Sequence, residues 1–376
     1  MLLRVFLPAL LLFTPLVFLI PRFGMQEAPS VYFMYQYNLN AETNDAVPVG
    51  WERPVFNAVI AESEEGLQLL GPDMPPLALE DNEQVFVPFL GQGYFSYARV
   101  GSAVRWKSRR GEELWNKQYF SYPVSDEQGR LVFLLTGDNN RVDVIDPNGN
   151  AAPVSGVAGN FMIDYDFAAE SGHGFILFAG GQLRVLNPDG TLRAGFDYEA
   201  DEDEQPVFFK SCAIAPDGAT LAVHALMENA DRILVFEIRQ NEARLRETDD
   251  FTLPGIYPHL LHMAVNAHGV LVAAPDRTLL FGLQGQDDLD EPFENPEGGI
   301  YRPVLAGRDY FVYASGLQEA RVLDADGFEM VRIPLTATGV RYNLNTWRIL
   351  AGREPRVFVL HSPDRLDFYR VQEFTR

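Results

Sequence analysis

Apolar and polar residues alternate with a period of two along nearly the whole chain. The run "AIAPDGATLAVHALMENADRILVFEI", Ala213 to Ile238, shows the grammar: a strand, a tight Pro-Asp-Gly turn, a strand, a polar loop and a strand. Period two sends successive side chains to opposite faces of an extended chain, whereas a helix would show a period of 3.6. No segment beyond the N-terminus carries a convincing long amphipathic helix. The same grammar recurs in "DEQGRLVFLLTGDNNRVDVIDPNGN" from Asp126, "ESGHGFILFAGGQLRVLNPDGT" from Glu170 and "NAHGVLVAAPDRTLLFGL" from Asn266. It returns in "AGRDYFVYASGLQEARVLDADGF" from Ala306 and "AGREPRVFVLHSPDRLDFYRV" from Ala351, with a weaker copy from Leu90. Asp-Gly and Asn-Gly turns supply the positive φ that tight strand connections require.

The turn glycines Gly93, Gly129, Gly174, Gly218, Gly269, Gly307 and Gly352 mark the copies. Blades of four strands recur at roughly 40–45 residues, and these spacings bracket that period. With its "APDG" turn, the repeat resembles the WD-repeat-like and NHL-like β-propeller superfamily. That resemblance implies an all-β propeller, with seven four-stranded blades expected and eight as the alternative. Residues 54–376 are expected to form it, and Pro54–Glu80 to supply outer strands to the last unit. The Trp-Asp dipeptide of true WD repeats and the Ser-x-Asp-x-Gly-x-Thr boxes of sialidases are absent.

In a propeller the A–B and C–D turns of each blade share one face, and the B–C loops and D-to-A crossovers share the other. Acidic stretches are expected on the crossovers: "YEADEDEQ" with Glu202 and Asp203, "QDDLDEPFENPEGG" with Asp288 and Asp290, and "LEDNEQ". They suit a basic partner surface, or weak Ca2+ binding through oxygen ligands; no cofactor is otherwise implied. One basic island, Arg105, Lys107, Arg109 and Arg110, is a second candidate partner contact. Asp231-Arg232, Asp276-Arg277 and Asp364-Arg365 recur at the B–C position, read as local turn pairs.

Candidate chemistry is sparse. Asp164 and Asp166 in "MIDYDFA" share one side of a strand and are the candidate metal ligands of an alternative reading, a channel-centred metal-dependent hydrolase or lactonase. His259 and His262 are three apart, which does not place both on one side of a strand. No HExxH, GxSxG, P-loop or dinucleotide motif is present, and no catalytic residue is assigned.

The N-terminus sets the compartment. "MLLRVFLPALLLFTPLVFLIPRFG" has no charge between Arg4 and Arg22. Residues 1–24 read as a signal peptide or an uncleaved membrane anchor, and 25–53 as an extended lead-in. The single cysteine, Cys212, forbids an intramolecular disulfide and reads as an inert core thiol. The formal charge of -22 repels nucleic acid and anionic headgroups. Together these imply an exported protein, periplasmic or on the outer face of the cytoplasmic membrane. Its expected role is a non-catalytic protein-interaction module of the envelope.

Overall fold

In the computed structural model the described residues are 30–38, 59–63, 66–70, 77–78, 82–98, 101–152, 157–158, 161–198, 206–238, 244–283, 288–292, 303–315, 319–335, 348–362 and 365–372; of 59–78 and 157–158 the backbone alone is described. Every named element among them is a strand. Seven antiparallel sheets of four strands follow one another along the chain, and a three-stranded sheet (Val59–Ser63, Gly66–Leu70, Leu77–Ala78) precedes the first.

Within each of the first six blades the strands pair in chain order, A to D. Blade one begins at Glu83–Phe86, blade two at Ser121–Ser125 and blade three at Met162–Phe167. Blade four begins at Phe208–Ile214, blade five at His262–Val265, blade six at Val304–Ala306 and blade seven at Arg348–Ala351. All seven marker glycines fall at the A–B turn or the first residue of strand B. Gly129 and Gly218 adopt φ 71° and 73°, a region that favours glycine.

The blades are bonded to each other by apolar packing, one core per junction. Phe95, Val104 and Trp106 of blade one meet Val132 and Leu134 of blade two. Phe175 and Leu177 of blade three meet Leu221 and Val223 of blade four. The ring closes where Phe89 of blade one packs on Val357, Val359, Leu366 and Phe368 of blade seven. These seven sheets therefore close on one another, and the three-stranded sheet is additional to them.

Blade seven differs from the others in its fourth strand. Its outer strand is Val31–Asn38, paired antiparallel with the chain's last strand, Arg365–Val371. Tyr35 stacks on Phe368 with centroids 4.4 Å apart, and Ser30 O accepts the Gln372 N–H at 2.8 Å. The closing strand thus comes from inside the expected lead-in, not from Pro54–Glu80. "VYFMYQYN" carries the aromatic alternation of a strand, and it lies more than 300 residues from its partner, beyond the reach of any local pattern.

Candidate functional site

The A strands stand side by side around the centre of the ring, and their inner edges carry backbone N–H groups with no further strand to pair. An unpaired buried N–H is costly. On strand A of blade three, alternation places Asp164 and Asp166 on the side facing blade four. Asp164 Oδ2 accepts the Cys212 N–H at 2.9 Å, and Asp166 Oδ2 accepts the Ile214 N–H at 2.8 Å. The other oxygens accept the N–H groups of Tyr165 and Phe167. Burial pushes Asp164 up to about 6 and Asp166 up to about 7, against the lowering effect of those hydrogen bonds. Both carboxylates are thus clamps between blades. No group of three His, Cys, Asp or Glu side chains suited to a metal occurs among the described residues. Cys212, buried beside Asp164, has its thiol pushed up by burial.

At the A–B end an ion pair crosses the channel mouth. Arg308 of blade six reaches Glu170 of blade three, Nη2 to Oε2 at 3.0 Å. Beside it lies a cavity of about 140 Å³ bordered by Gln128, Glu170, Pro216, Tyr310 and Arg353. Glu127 sits at the same end, and burial with the neighbouring Asp126 charge raises it to about 7.

At the opposite end of blade four, Asp231 is a buried hub. It accepts from Lys210 Nζ at 2.6 Å and from the Tyr257 N–H at 2.5 Å, with His224 Nε2 at 3.2 Å. Lys210 occupies a β-bulge between Phe209 and Ser211, and the extra residue re-aims its side chain into the blade. Lys210 Nζ also donates to Tyr257 O at 2.7 Å, so the pair grips the crossover leading to blade five by both of its backbone groups. His224, buried and beside Lys210, is pushed down to about 4 by desolvation and stays neutral at pH 7.

The expected site residues are dispersed. Asp288 and Asp290 are not on a crossover. Asp288 belongs to the C–D connection of blade five, accepting the Gly282 N–H at 2.9 Å, and Asp290 lies on strand D, paired with Arg277 at 3.0 Å. The reading failed because strand D begins at Leu289, inside the acidic run. Glu202 and Asp203 lie outside the described residues. In the basic island, Lys107 pairs with Glu83 at 2.5 Å, Arg105 approaches Glu113 at 3.6 Å, and Arg109 donates to Gly91 O. Ser108 Oγ accepts the Arg110 N–H. Each of these three cationic side chains is thus met by an acceptor of its own blade. At the B–C positions Arg277 pairs with Asp276, whereas Arg232 turns to Glu228 and Asp250. His259 is exposed on the crossover into blade five, and His262 opens its first strand, pushed down by burial.

The crossover face carries what the sequence reading missed. Phe120, Phe161, Phe208, Ile256 and Leu260 are 81%, 51%, 57%, 59% and 51% exposed. They sit at the entrances to four successive blades: Phe120, Phe161, Ile256 and Leu260 on the connections into blades two, three and five, and Phe208 at the first residue of strand A of blade four. Each neighbours a residue turned inward, such as Met162, Phe209, Tyr257 and Leu261.

No protein-family model matches the chain, and no curated protein matches it. Among solved structures it is similar to the crystal structure of BamB from Moraxella catarrhalis, at TM-score 0.50 and 13% identity over 92% of this chain and 99% of that one. It also aligns with Kuenenia stuttgartiensis hydrazine synthase, at TM-score 0.44 and 10% identity over 76% of this chain and 93% of that one. The chain is a β-propeller. Seven closed blades and the likeness to BamB agree on this, and one fold hosts many functions. In the propeller frame, turns and crossovers occupy opposite faces. The channel-mouth pair Glu170–Arg308 and the exposed apolar arc are therefore on different sides of the molecule.

Proposed function

We propose that this propeller is an exported module, held at or near a membrane, that binds proteins of the cell envelope and catalyses no reaction of its own. The observation that carries this reading is the position of Val31–Asn38. Its first residue pairs with Val371, the last residue of strand C in blade seven, so the strand starts at the turn-face rim. Residues 22–30 alone separate it from the uncharged apolar run Val5–Pro21. Fully extended, such a connection reaches about 30 Å. A bilayer-embedded run would hold the propeller close to the membrane by its turn-face rim and leave the crossover face outward.

The commitments of the interior side chains support a binding role. Asp164, Asp166 and Asp231 serve the backbone of neighbouring blades and crossovers. A reporter enzyme active only outside the cytoplasm, fused after Arg376, is expected to be active, with the fusion in the membrane or periplasmic fraction. Activity of a cytoplasm-only reporter at the same position overturns the reading. Metal analysis of the purified full chain is expected to find no stoichiometric divalent cation, and a stoichiometric one would return the question to catalysis.

A further inference from the structure

Strand alternation explains why the crossover face is apolar. Each A strand starts with one side chain facing into the ring and its neighbour facing solvent. In a free-standing molecule the outward residue is expected to be polar. Here it is Phe161 beside buried Met162, and Phe208 beside buried Phe209. On the crossover into blade five, Ile256 and Leu260 face solvent while Tyr257 and Leu261 are buried. Phe120, more than four-fifths exposed, extends the set to the crossover into blade two. Single exposed apolar residues are ordinary, but a repeated set on one face marks an interaction surface.

The presentation is held in place. The Lys210–Asp231 pair fixes both backbone groups of Tyr257, which aims Ile256 outward. Phe161 has φ 36°, a backbone region that bulky residues rarely occupy. Its peptide neighbours are pinned regardless, because Met162 N–H donates to Asn139 O and Ala179 N–H donates to Phe161 O. A strained aromatic held towards solvent adds nothing to the core.

The surrounding charge selects the partner. At the start of strand C in blades four and five, an arginine on this face meets more than one carboxylate. Arg232 is shared by Glu228 and Asp250, and Arg277 by Asp276 and Asp290. Asp138 adds another carboxylate, its pKa lowered by the hydrogen bond from the Thr136 hydroxyl. The face is therefore apolar at the blade entrances and negative between them. We infer that it docks a segment of another envelope protein carrying apolar side chains flanked by Lys or Arg. An anionic lipid surface is disfavoured by these carboxylates, and a second copy of this face would set negative against negative. This inference rests on the interaction-module reading and names the surface and partner chemistry for it.

A photo-crosslinking benzoylphenylalanine placed at Phe120, Phe208 or Ile256 of the full chain, in the cells that make it, tests the inference. The control position is Phe328, exposed on the turn face in the C–D turn of blade six. The expected result is a protein adduct from the three arc positions whose crosslinked segment, read by mass spectrometry, is basic and apolar. The yield at the arc positions should fall about tenfold when Glu228→Gln and Asp276→Asn are combined. A lipid adduct, an adduct to a second copy of this chain, or an acidic segment overturns the inference. Protein adducts at Phe328 with none at the arc overturn it and leave the module reading standing; no protein adduct anywhere removes both. Melting of each variant at the wild-type temperature confirms that folding is not the cause, as exposed positions lead one to expect.

Discussion

Lys210 and Asp231 meet at 2.6 Å inside blade four, and the two together hold the amide and the carbonyl of Tyr257, the first to Asp231 and the second to Lys210. The carboxylate has no solvent exposure, and the ammonium has very little. Removing one partner of such a pair strands the other charge. Asp231→Asn or Lys210→Met is expected to cost about 3–5 kcal/mol of stability. The double variant is expected to cost less than the sum of the two. Thermal melting measures the loss, and hydrogen exchange at Ile256 and Tyr257 is expected to accelerate in both single variants.

Acidity gives an independent check on the channel. Glu127 and Asp166, each raised to about 7, and Asp164, raised to about 6, are harder to ionise folded than unfolded. Their contribution to stability is full below about pH 4 and is lost as pH rises through 6 to 7. His173, His224 and His361, each lowered to about 4, act in the other direction and weaken the fold as pH falls below about 6.5. The difference between wild type and Asp166→Asn isolates the carboxylate: the variant is expected to lose less stability than wild type between pH 5 and 8. Parallel curves would show that Asp166 ionises normally.

The blade count was legible because each A–B turn needs a glycine or a tight polar turn at a regular interval, and Gly93 to Gly352 record all seven. The clamps were half legible. Alternation put Asp164 and Asp166 on one side, but their partners, the Cys212 and Ile214 amides, are nearly fifty residues away on another blade, and a carboxylate that holds an edge strand looks in sequence like one awaiting a metal. Asp288 is not placed by sequence, because an acidic run has the composition of a loop although strand D starts within it. The apolar arc escaped for a related reason. Phe208 and Phe209 both look like core in sequence, and only the start of the A strand decides which one faces water.

Phe161 should trade stability against exposure of an aromatic. Phe161→Asn keeps the left-handed backbone at lower cost, because Asn tolerates that region. The variant is expected to gain about 1 kcal/mol, seen as a higher melting temperature. An unchanged or lower melting temperature would mean that the conformation carries no strain.

Arg308 and Glu170 span the channel mouth, yet the guanidinium is 62% exposed. An exposed pair is worth little. Arg308→Ala is expected to leave the unfolding free energy, followed by thermal melting, within about 0.5 kcal/mol of wild type. A large loss would mean that the mouth, and not the junction cores, holds the ring together.

Deleting Val31–Asn38 removes the outer strand of blade seven and bares one edge of Arg365–Val371. A bare edge strand invites pairing with other chains. The truncated protein is expected to aggregate on gel filtration and to lose a single cooperative melting transition. A monodisperse truncation that melts sharply would show that the ring closes without this strand.

That same strand has a consequence for how the protein is made. Val31–Asn38 is synthesised more than 300 residues before its partner, Arg365–Val371. The first strand must wait unpaired while six blades form behind it. A chain cut short before Arg365 has no place to put it. Closure therefore tests the integrity of the product: only a molecule translated and delivered through Val371 can cover both edges where the ring joins. Incomplete copies display an open strand, the kind of signal on which proteases act.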